Sequence, residues 1–389
     1  MKKNILYVFG GEKAQGAEIV IERLMSYNTD HVNAHLFIAP GHFAHALVQA
    51  NKPYKITLLE RLKKLNRSST ASWKFYTKAL KNYFAISKQA YKYIRANDIT
   101  IIHANTIVPA SYLIPLILYA KIFLPKIKFI WSDHDLSYYS RLDNWFSKIC
   151  VLVYDRTLVV SKAVKEKYNK NDKVIVLYNG LDTTQFKNDA EAGIKFRNTH
   201  GIKKDTLVIG MAAVIVPRKG QLELLEAFKS LSSQNNNTRL LLAGRYGEDD
   251  PGYTAKVKAA IEADKKILHI GYVDDMVSFY SACDIVVSNT SNAGSEPLGT
   301  SIYEAMACEK IVVASDTGGT AEIVTDKADG FLFEAGNTNK LSDTLHYTVK
   351  NYGHLVHIRS AARAKVLRTF NVEEMKFQYS RVIANLIKG

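Results

Sequence analysis

The sequence contains 389 residues, which is too many for one ordinary hydrophobic core and about right for two. Its composition, 47% hydrophobic and 23% charged residues, excludes a disordered, fibrous or coiled-coil protein. The formal net charge of +15 lies almost wholly in the first half, because residues 1–190 contain 28 basic and 14 acidic side chains, against 24 and 23 in residues 191–389. We therefore expect one half of the protein to face an anionic partner.

Short apolar runs alternate along the chain with longer segments in which apolar residues recur every three or four positions. The runs predicted as strands are residues 5–9, 34–38, 99–103, 128–131, 157–160 and 174–177, then 207–211, 239–243, 268–270, 284–287, 311–314 and 330–333. Because these runs are apolar throughout, they suit strands buried on both faces, and the repeated β–α units predict parallel sheets. The predicted fold class is α/β, with two Rossmann-like domains.

The polar stretch 187–205 marks the predicted boundary, which gives a first domain at 1–190, a second at 191–370 and a terminal helix at 371–389. The first apolar run lasts only five residues before Gly10 and predicts a buried strand rather than a signal peptide. The longest apolar stretch, residues 107–120, contains two prolines and is too short to span a bilayer. It predicts a core helix, with a membrane-dipping segment as the alternative.

Metal and disulfide chemistry find little support in the sequence. The three cysteines, Cys150, Cys283 and Cys308, are too few and too scattered for a disulfide framework or a zinc site, so the cytoplasm is the simplest location. His42 and His45 lack a third ligand in the sequence around them. We expect no metal requirement and no cofactor.

Three loops that follow predicted strands carry residues suited to an anionic ligand, because ligands of open α/β sheets bind beyond the carboxyl ends of the strands. The first loop, residues 10–18, contains Gly16 and predicts either a tight turn or a close approach of backbone to a phosphate. The second contains Arg218 and Lys219 directly before a helix, where they either neutralise a diphosphate or remain solvated in an exposed turn.

The third loop, residues 288–307, is the most informative. Gly299 and Thr300 read as a helix start with free N–H groups, Glu296 lies before that start, and Glu304 lies about one turn inside the helix. Two carboxylates that flank an anion-binding helix terminus suit the recognition of sugar hydroxyls on either side of a diphosphate. The alternative is a capping residue and a solvated helix face.

At this loop the chain resembles a known family. Glu296 and Glu304 resemble the E-x7-E motif of retaining family 4 glycosyltransferases, which have the GT-B fold. Three further segments are similar to that family in the same order, and they are Gly16-Ala17-Glu18, then Tyr178-Asn179-Gly180-Leu181-Asp182 with Phe186, then Gly271-Tyr272-Val273 with Ala282-Cys283-Asp284. The resemblance implies two Rossmann-like domains with parallel sheets facing across a central cleft, and a terminal helix that crosses back onto the first domain.

The resemblance also implies roles for particular residues in binding a nucleotide-sugar donor. Glu304 would bind the ribose, Glu296 the transferred sugar, and Lys219 with Arg218 the diphosphate. The remaining implied donor contacts are the backbone N–H groups of Leu298, Gly299 and Thr300, the backbone around Val273 for the base, and Gly16. His134, in Ser132-Asp133-His134-Asp135, would lie against the donor sugar near the anomeric carbon.

One position departs from the family pattern. Many members carry an arginine five residues before the conserved lysine, and here that position is Val214. We expect Arg218 or Arg245 to supply the missing diphosphate contact. The resemblance further implies transfer with retention of configuration, by front-side attack in which the leaving phosphate accepts the proton of the acceptor. The base is unidentified, and a UDP-sugar is favoured on frequency alone.

Residues 55–95 suggest the acceptor side. This segment contains eleven basic side chains against Glu60 alone, and aromatic residues are interleaved among them. It predicts a helix at an anionic membrane surface, with a solvated basic helix or a nucleic-acid-binding face as the alternatives. We therefore expect a lipid-linked or membrane glycan acceptor in polysaccharide, lipopolysaccharide or glycolipid assembly, and a cytoplasmic enzyme peripherally bound to the membrane. The alternatives are a soluble glucan or disaccharide synthase, a sugar-nucleotide epimerase, and a polyanion-binding module.

Overall fold

The computed structural model describes residues 2–12, 16–27, 31–62, 73–138, 140–169, 171–248, 250–291 and 294–388. The chain divides into two compact units, of which the first comprises Met1–Gly180 with Val372–Gly389 and the second Leu181–Asn371. The second unit thus begins at Leu181, before the predicted domain boundary at residue 190. Each unit is an α/β body built on one parallel sheet, as the sequence predicts.

The first unit contains a seven-stranded parallel sheet in the order β3-β2-β1-β4-β5-β6-β7. Its strands are β1 (Lys3–Phe9), β2 (Val32–Ile38), β3 (Lys55–Leu58), β4 (Ile101–Asn105), β5 (Lys128–Asp133), β6 (Arg156–Val159) and β7 (Val174–Val176). Its helices up to this point of the chain are α1 (Gly16–Tyr27), α2 (His42–Gln49), α3 (Trp73–Ala96), α4 (Ile107–Tyr112), α5 (Ile114–Phe123), α6 (Arg141–Val153) and α7 (Lys162–Glu166). All six strands predicted in this half are present, with ends shifted by at most two residues.

The prediction of one basic helix in the segment 55–95 is wrong. Lys55–Leu58 forms β3 at the edge of the sheet, Glu60–Leu62 forms a short 3-10 helix, and the helix proper is Trp73–Ala96. The strand escaped prediction because an edge strand is only partly buried and so tolerates the polar residues of this run. Basic residues 63, 64 and 67 lie outside the described part of the chain.

The apolar stretch 107–120 forms two helices rather than one. Helix α4 ends at Tyr112, and α5 starts at Ile114 with Pro115 in its first turn, where a missing N–H costs no hydrogen bond. The inner faces of both helices are buried in the first unit. Among the described residues, no helix combines the length and the apolar character needed to cross a membrane.

The second unit contains a six-stranded parallel sheet in the order β10-β9-β8-β11-β12-β13. Its elements are α8 (Ala190–Thr199), β8 (Leu207–Ala212), α9 (Gln221–Gln234), β9 (Thr238–Ala243), α10 (Pro251–Glu262), β10 (Ile267–Gly271), α11 (Met276–Ala282), β11 (Ile285–Ser288), α12 (Thr300–Ala307), β12 (Ile311–Asp316), α13 (Thr320–Ile323), β13 (Phe331–Glu334), α14 (Thr338–Lys350) and α15 (Val356–Thr369). The chain runs outward from β8 to β10 and then returns to β11, so the carboxyl ends of β8 and β11 form the switch point at which α/β sheets bind ligands.

The last helix, α16 (Val372–Lys388), belongs to the first unit. It packs beside α1, and its buried apolar residues join the core formed by β1 and β2. A buried chain of hydrogen bonds anchors it, in which Ser132 Oγ donates to His103 Nε2 over 2.7 Å and His103 Nδ1 donates to Tyr379 Oη over 2.8 Å. Tyr379 then donates to the hydroxyl of Tyr7 over 3.2 Å. Every polar group that α16 buries at this point therefore has a partner.

Candidate active site

Arg218 and Lys219 lie in a short 3-10 turn, Pro217–Lys219, between β8 and α9. The turn ends at Gly220, whose φ of +58° lies in the left-handed region that favours glycine. Asn289, just after β11, donates from Nδ2 to the Gly220 carbonyl over 2.7 Å, and a Cβ on Gly220 would collide with that amide. Glycine is therefore required here both by the backbone angle and by the close approach of the neighbouring loop.

The loop after β11 is fastened to the same turn by Ser291. Its backbone N–H donates to the carbonyl of Arg218 over 3.0 Å, and its Oγ donates to the carbonyl of Pro217 over 3.0 Å. Gly294 also lies so close that a Cβ would stand 2.9 Å from Arg218 Cβ. These contacts hold the two loops at the switch point as one surface.

Two cationic side chains converge on one carboxylate at this surface. Lys219 Nζ forms an ion pair with Glu296 Oε2, and the Arg218 guanidinium lies 3.9 Å from the same oxygen. The side chains of Lys219 and Glu296 are 17% and 16% exposed, whereas that of Arg218 is 45% exposed. With two positive charges and one negative charge, the cluster has one positive charge in excess and is suited to an anion.

Helix α12 starts next to this cluster. Gly299 is its N-cap residue and offers no side-chain hydrogen bond to the first turn, which begins at Thr300. The helix terminus adds a partial positive charge and backbone N–H donors beside Glu296. The prediction that Gly299 and Thr300 start a helix at this loop thus matches the structure. The contacts of Leu298, Gly299 and Thr300 with a ligand stay a prediction.

Glu304 lies one turn inside α12 and has a different partner. The buried hydroxyl of Tyr280 donates to Glu304 Oε2 over 2.9 Å. Burial, reinforced by the negative charge of Glu304, raises the pKa of Tyr280 well above its ordinary value, so the phenol remains a donor. Glu304 is therefore held in place by the core of the unit rather than standing on a solvated helix face.

Arg245 and Val273 lie in the neighbouring loops of the second unit. The guanidinium of Arg245 stacks over the ring of Tyr272, with 4.5 Å between its central carbon and the ring centroid. Val214, at the position where many family members have arginine, is exposed. Of the two arginines expected to compensate, Arg218 is the one that lies beside Glu296, and Arg245 is engaged next to Val273.

His134 belongs to the first unit, directly after β5, and donates from Nε2 to Asn105 Oδ1 over 2.9 Å. Asn105 ends the adjacent strand β4, and Thr106 after it has φ of +67° with ψ of 170°, a conformation that favours glycine. Burial lowers the pKa of His134 to about 4, against a smaller opposing effect of the Asp133 carboxylate. His134 is therefore neutral at physiological pH.

Gly16 is the first residue of α1, and the loop residues 13–15 before it lie outside the described part of the chain. A Cβ added to Gly16 would meet no atom of the residues that the structure describes within 4 Å. Among the described residues, no group of three or more histidine, cysteine, aspartate or glutamate side chains is arranged to hold a metal ion.

Sequence reasoning missed several residues that hold the site together. Asn289, Ser291 and Tyr280 support the second-unit cluster, and Asn105 supports His134. Asn105 could have been found, because it follows a predicted strand at the same sheet edge as His134. The others could not, because only the fold brings them to their partners.

Two family models match the chain, one to each half. Residues 14–185 match the model of glycosyltransferase family 4, and residues 194–365 match that of the glycosyl transferases group 1. Together the two matches cover most of both units. The protein belongs to the family 4 glycosyltransferases of GT-B fold.

Individual relatives are distant. The capsular polysaccharide biosynthesis glycosyltransferase CapM of Staphylococcus aureus is 24% identical over 246 residues, 60% of this chain and 63% of the relative. The lipopolysaccharide 1,2-N-acetylglucosaminetransferase of Salmonella typhimurium is 30% identical over 192 residues, 45% of this chain and 48% of the relative. The chain thus spans about half to two thirds of the length of these curated relatives.

Among solved structures, the chain is similar to the crystal structure of HepE of Anabaena in complex with UDP. The TM-score is 0.81 at 21% identity, and the match covers 99% of this chain and 100% of that one. This likeness confirms the predicted fold class.

The contact at Gly220 generates a stability prediction. Gly220→Ala should lower the free energy of unfolding by about 1–3 kcal/mol more than Gly201→Ala, measured by urea unfolding. Gly201 is the matched control, since its φ is +65° but a Cβ would meet no atom of the described part of the chain within 4 Å. Equal losses in the two variants would contradict the tight fit between Gly220 and Asn289.

The buried histidines of the first unit predict a pH dependence. Burial lowers the pKa of His103 to about 3 and that of His134 to about 4, both below the ordinary value of 6.5. Between about pH 6.5 and 4 the unfolded chain therefore binds more protons, so stability should be full above pH 6.5 and fall as the pH drops, by roughly 1.4 kcal/mol per unit of pKa shift. His134→Asn should flatten the decline in the urea midpoint, and an unchanged slope would contradict the assigned environment.

Proposed function

We propose that the protein transfers a sugar from a nucleotide diphosphate-sugar to a hydroxyl group of a lipid-linked or membrane glycan acceptor. The observation that carries the proposal is the convergence of Arg218 and Lys219 on Glu296 beside the start of α12. The names of CapM and of the Salmonella transferase support acceptors in cell-surface polysaccharide or lipopolysaccharide assembly. The crystal structure of HepE with UDP supports a UDP-sugar as donor.

In the proposed donor complex, the diphosphate takes the excess positive charge of the cluster. Arg218 binds it in a bidentate manner, Lys219 acts as a point charge, and the first backbone N–H groups of α12 donate to the remaining oxygens. Glu296 then accepts hydrogen bonds from the transferred sugar, and Glu304, held by Tyr280, accepts them from the ribose. The backbone around Val273 forms hydrogen bonds with the base, next to the side chain of Arg245, which stacks on Tyr272.

The proposed chemistry is stabilisation of the departing nucleotide diphosphate. Negative charge grows on the leaving phosphate as the bond to the anomeric carbon breaks, and Arg218, Lys219 and the helix terminus face that charge. These fixed positive charges take the part that a metal ion plays in other transferases, so we propose transfer without a metal. The leaving phosphate accepts the proton of the acceptor hydroxyl, and configuration is retained.

The first unit supplies two groups to the proposal. His134 is neutral, so it offers hydrogen bonds to a sugar hydroxyl without adding a charge beside an electron-poor anomeric carbon. Gly16, the first residue of α1, has no side chain and so suits a close approach of donor phosphate or acceptor. The high positive charge of residues 1–190 supports an anionic membrane surface as a partner and a cytoplasmic, peripherally bound enzyme.

Donor binding can be tested through thermal stability with UDP, GDP and ADP. The nucleotide of the true donor should stabilise the protein by about 2.7 kcal/mol at a hundredfold excess over its dissociation constant. Lys219→Ala and the milder Arg218→Ala should reduce this effect, whereas Lys327→Ala, on an exposed side chain, should not. If none of the three nucleotides stabilised the protein, the proposed function would be overturned.

The role of Glu296 separates binding from transfer. Glu296→Ala should lower the turnover number by roughly a hundredfold or more, because the transferred sugar loses the carboxylate that accepts its hydrogen bonds. Stabilisation of the protein by the free nucleotide diphosphate should persist. Turnover is measured as nucleotide release in the presence of a membrane fraction as acceptor. Near-normal turnover in a folded Glu296→Ala enzyme would rule out the assigned role.

A further inference from the structure

The outer faces of three neighbouring helices of the first unit carry large apolar side chains that the protein leaves exposed. Helix α5 contacts both α3 and α6, and we call the outward surface of these three helices the α3–α5–α6 face. The most exposed apolar residues of this face, with exposed fractions between 52% and 72%, are Leu80 and Phe84 of α3, Leu118, Ile122 and Phe123 of α5, and Trp145 and Leu152 of α6. Such a concentration is unusual on a protein surface that contacts only water.

This apolar surface only partly coincides with the one that the sequence indicated. Among the aromatic residues of α3 whose side chains the structure describes, Tyr83 lies edge-on to Tyr112 at 4.9 Å and Tyr93 lies edge-on to Phe37 at 4.8 Å, whereas Phe84 is exposed. Tyr91 contacts Tyr119 of α5 at 5.5 Å, which fixes the two helices side by side. The apolar groups available to a partner are therefore mainly those of α5 and α6.

The same face is cationic and nearly free of carboxylates. In α3, α5 and α6 together the sequence contains nine lysines and arginines and a single acidic residue, Asp143. Lys88, Lys92 and Arg95 lie on α3 and are exposed. On α6 the exposed Arg141 and Lys148 are three or four residues away from Trp145 and Leu152, so all four lie on one face of that helix. Cations and large apolar groups thus alternate on one surface.

We propose that the α3–α5–α6 face is a docking surface for an anionic lipid bilayer, with Ile122 and Phe123 of α5 and Trp145 of α6 entering the headgroup region. A bilayer fits because it offers both anionic headgroups for the cations and an apolar interior for side chains of this size. A second copy of the chain fits poorly, since it would place like charges opposite each other. A nucleic acid would satisfy the cations and leave the apolar residues in water.

This inference rests on the proposed function, to which it adds the surface and the residues that bind the membrane. Helices α3, α5 and α6 each precede the next parallel strand, so they run antiparallel to the sheet and form a layer along its side. The carboxyl ends of the strands, where His134 lies, remain at the edge of that layer. A layer lying on a membrane would therefore leave this edge open to a lipid-linked acceptor.

Co-sedimentation of the purified full chain with vesicles of phosphatidylglycerol and phosphatidylcholine in equal parts tests the proposal. We expect binding to these vesicles and little to phosphatidylcholine alone. The double variant Ile122→Ser, Phe123→Ser should weaken binding at least about tenfold, as should the triple change of Lys88, Lys92 and Arg95 to glutamine. Ile194→Ser, at an exposed isoleucine of the second unit, is the matched control and should bind as the wild type does.

Fluorescence distinguishes insertion from attraction by charge alone. Brominated lipid chains should quench the emission of Trp145, and the quenching should disappear in Trp145→Phe. Binding that high salt abolishes and that the Ile122→Ser, Phe123→Ser variant retains would overturn the proposal, as would no binding at all. A dimer in sedimentation velocity that the same variant dissociates would assign the face to a second copy and also overturn it.

The nucleotide assay keeps this proposal separable from the proposed function. The Ile122→Ser, Phe123→Ser variant should retain stabilisation by UDP, because no residue of the donor site changes. Stabilisation by UDP without vesicle binding would refute the docking surface and leave the transferase proposal standing. Vesicle binding with the expected variant effects, but without stabilisation by any nucleotide, would support the docking surface and refute the transferase proposal.

Discussion

The arrangement of the candidate site depends on the hydrogen bonds that Ser291 makes to the turn before α9. Arg218 and Lys219 carry like charges on adjacent residues, and exposed cations on a free loop would separate and remain solvated. Two hydrogen bonds of 3.0 Å fix the backbone of that turn, and Glu296 then neutralises one of the two charges. The repulsion between the two cations is therefore offset in the protein before any ligand binds, which is the condition for electrostatic preorganisation.

The same design separates the two glutamates of the motif. Glu296 is bound to a lysine and so responds to any anion that competes for that cation, whereas Glu304 is bound to a buried phenol that stays protonated. One carboxylate belongs to a cluster whose charges can be redistributed, and the other is a fixed acceptor. A shared spacing in the sequence thus produces two different electrostatic environments.

Much of the fold could be predicted from the sequence because parallel strands are buried on both faces and read as continuous apolar runs, as in β1 and β12. The edge strand β3 could not be predicted, because it is only partly buried and lysine and threonine alternate in it with isoleucine and leucine. The residues of the site were predictable where a loop follows a strand, as at Lys219 and Glu296. Tyr280 and Tyr379 were not, because their positions depend on helix packing that no local pattern records.

The position of α16 in the first unit has a consequence for the order of events during synthesis. The second unit is continuous in sequence, so all of its elements are synthesised before residues 372–388. The first unit, although translated first, lacks Tyr379 as the partner of His103, and the apolar residues of α16, until that moment. N-terminal domains usually fold first during synthesis. Here the first unit cannot complete its core until the whole second unit and α16 have been synthesised.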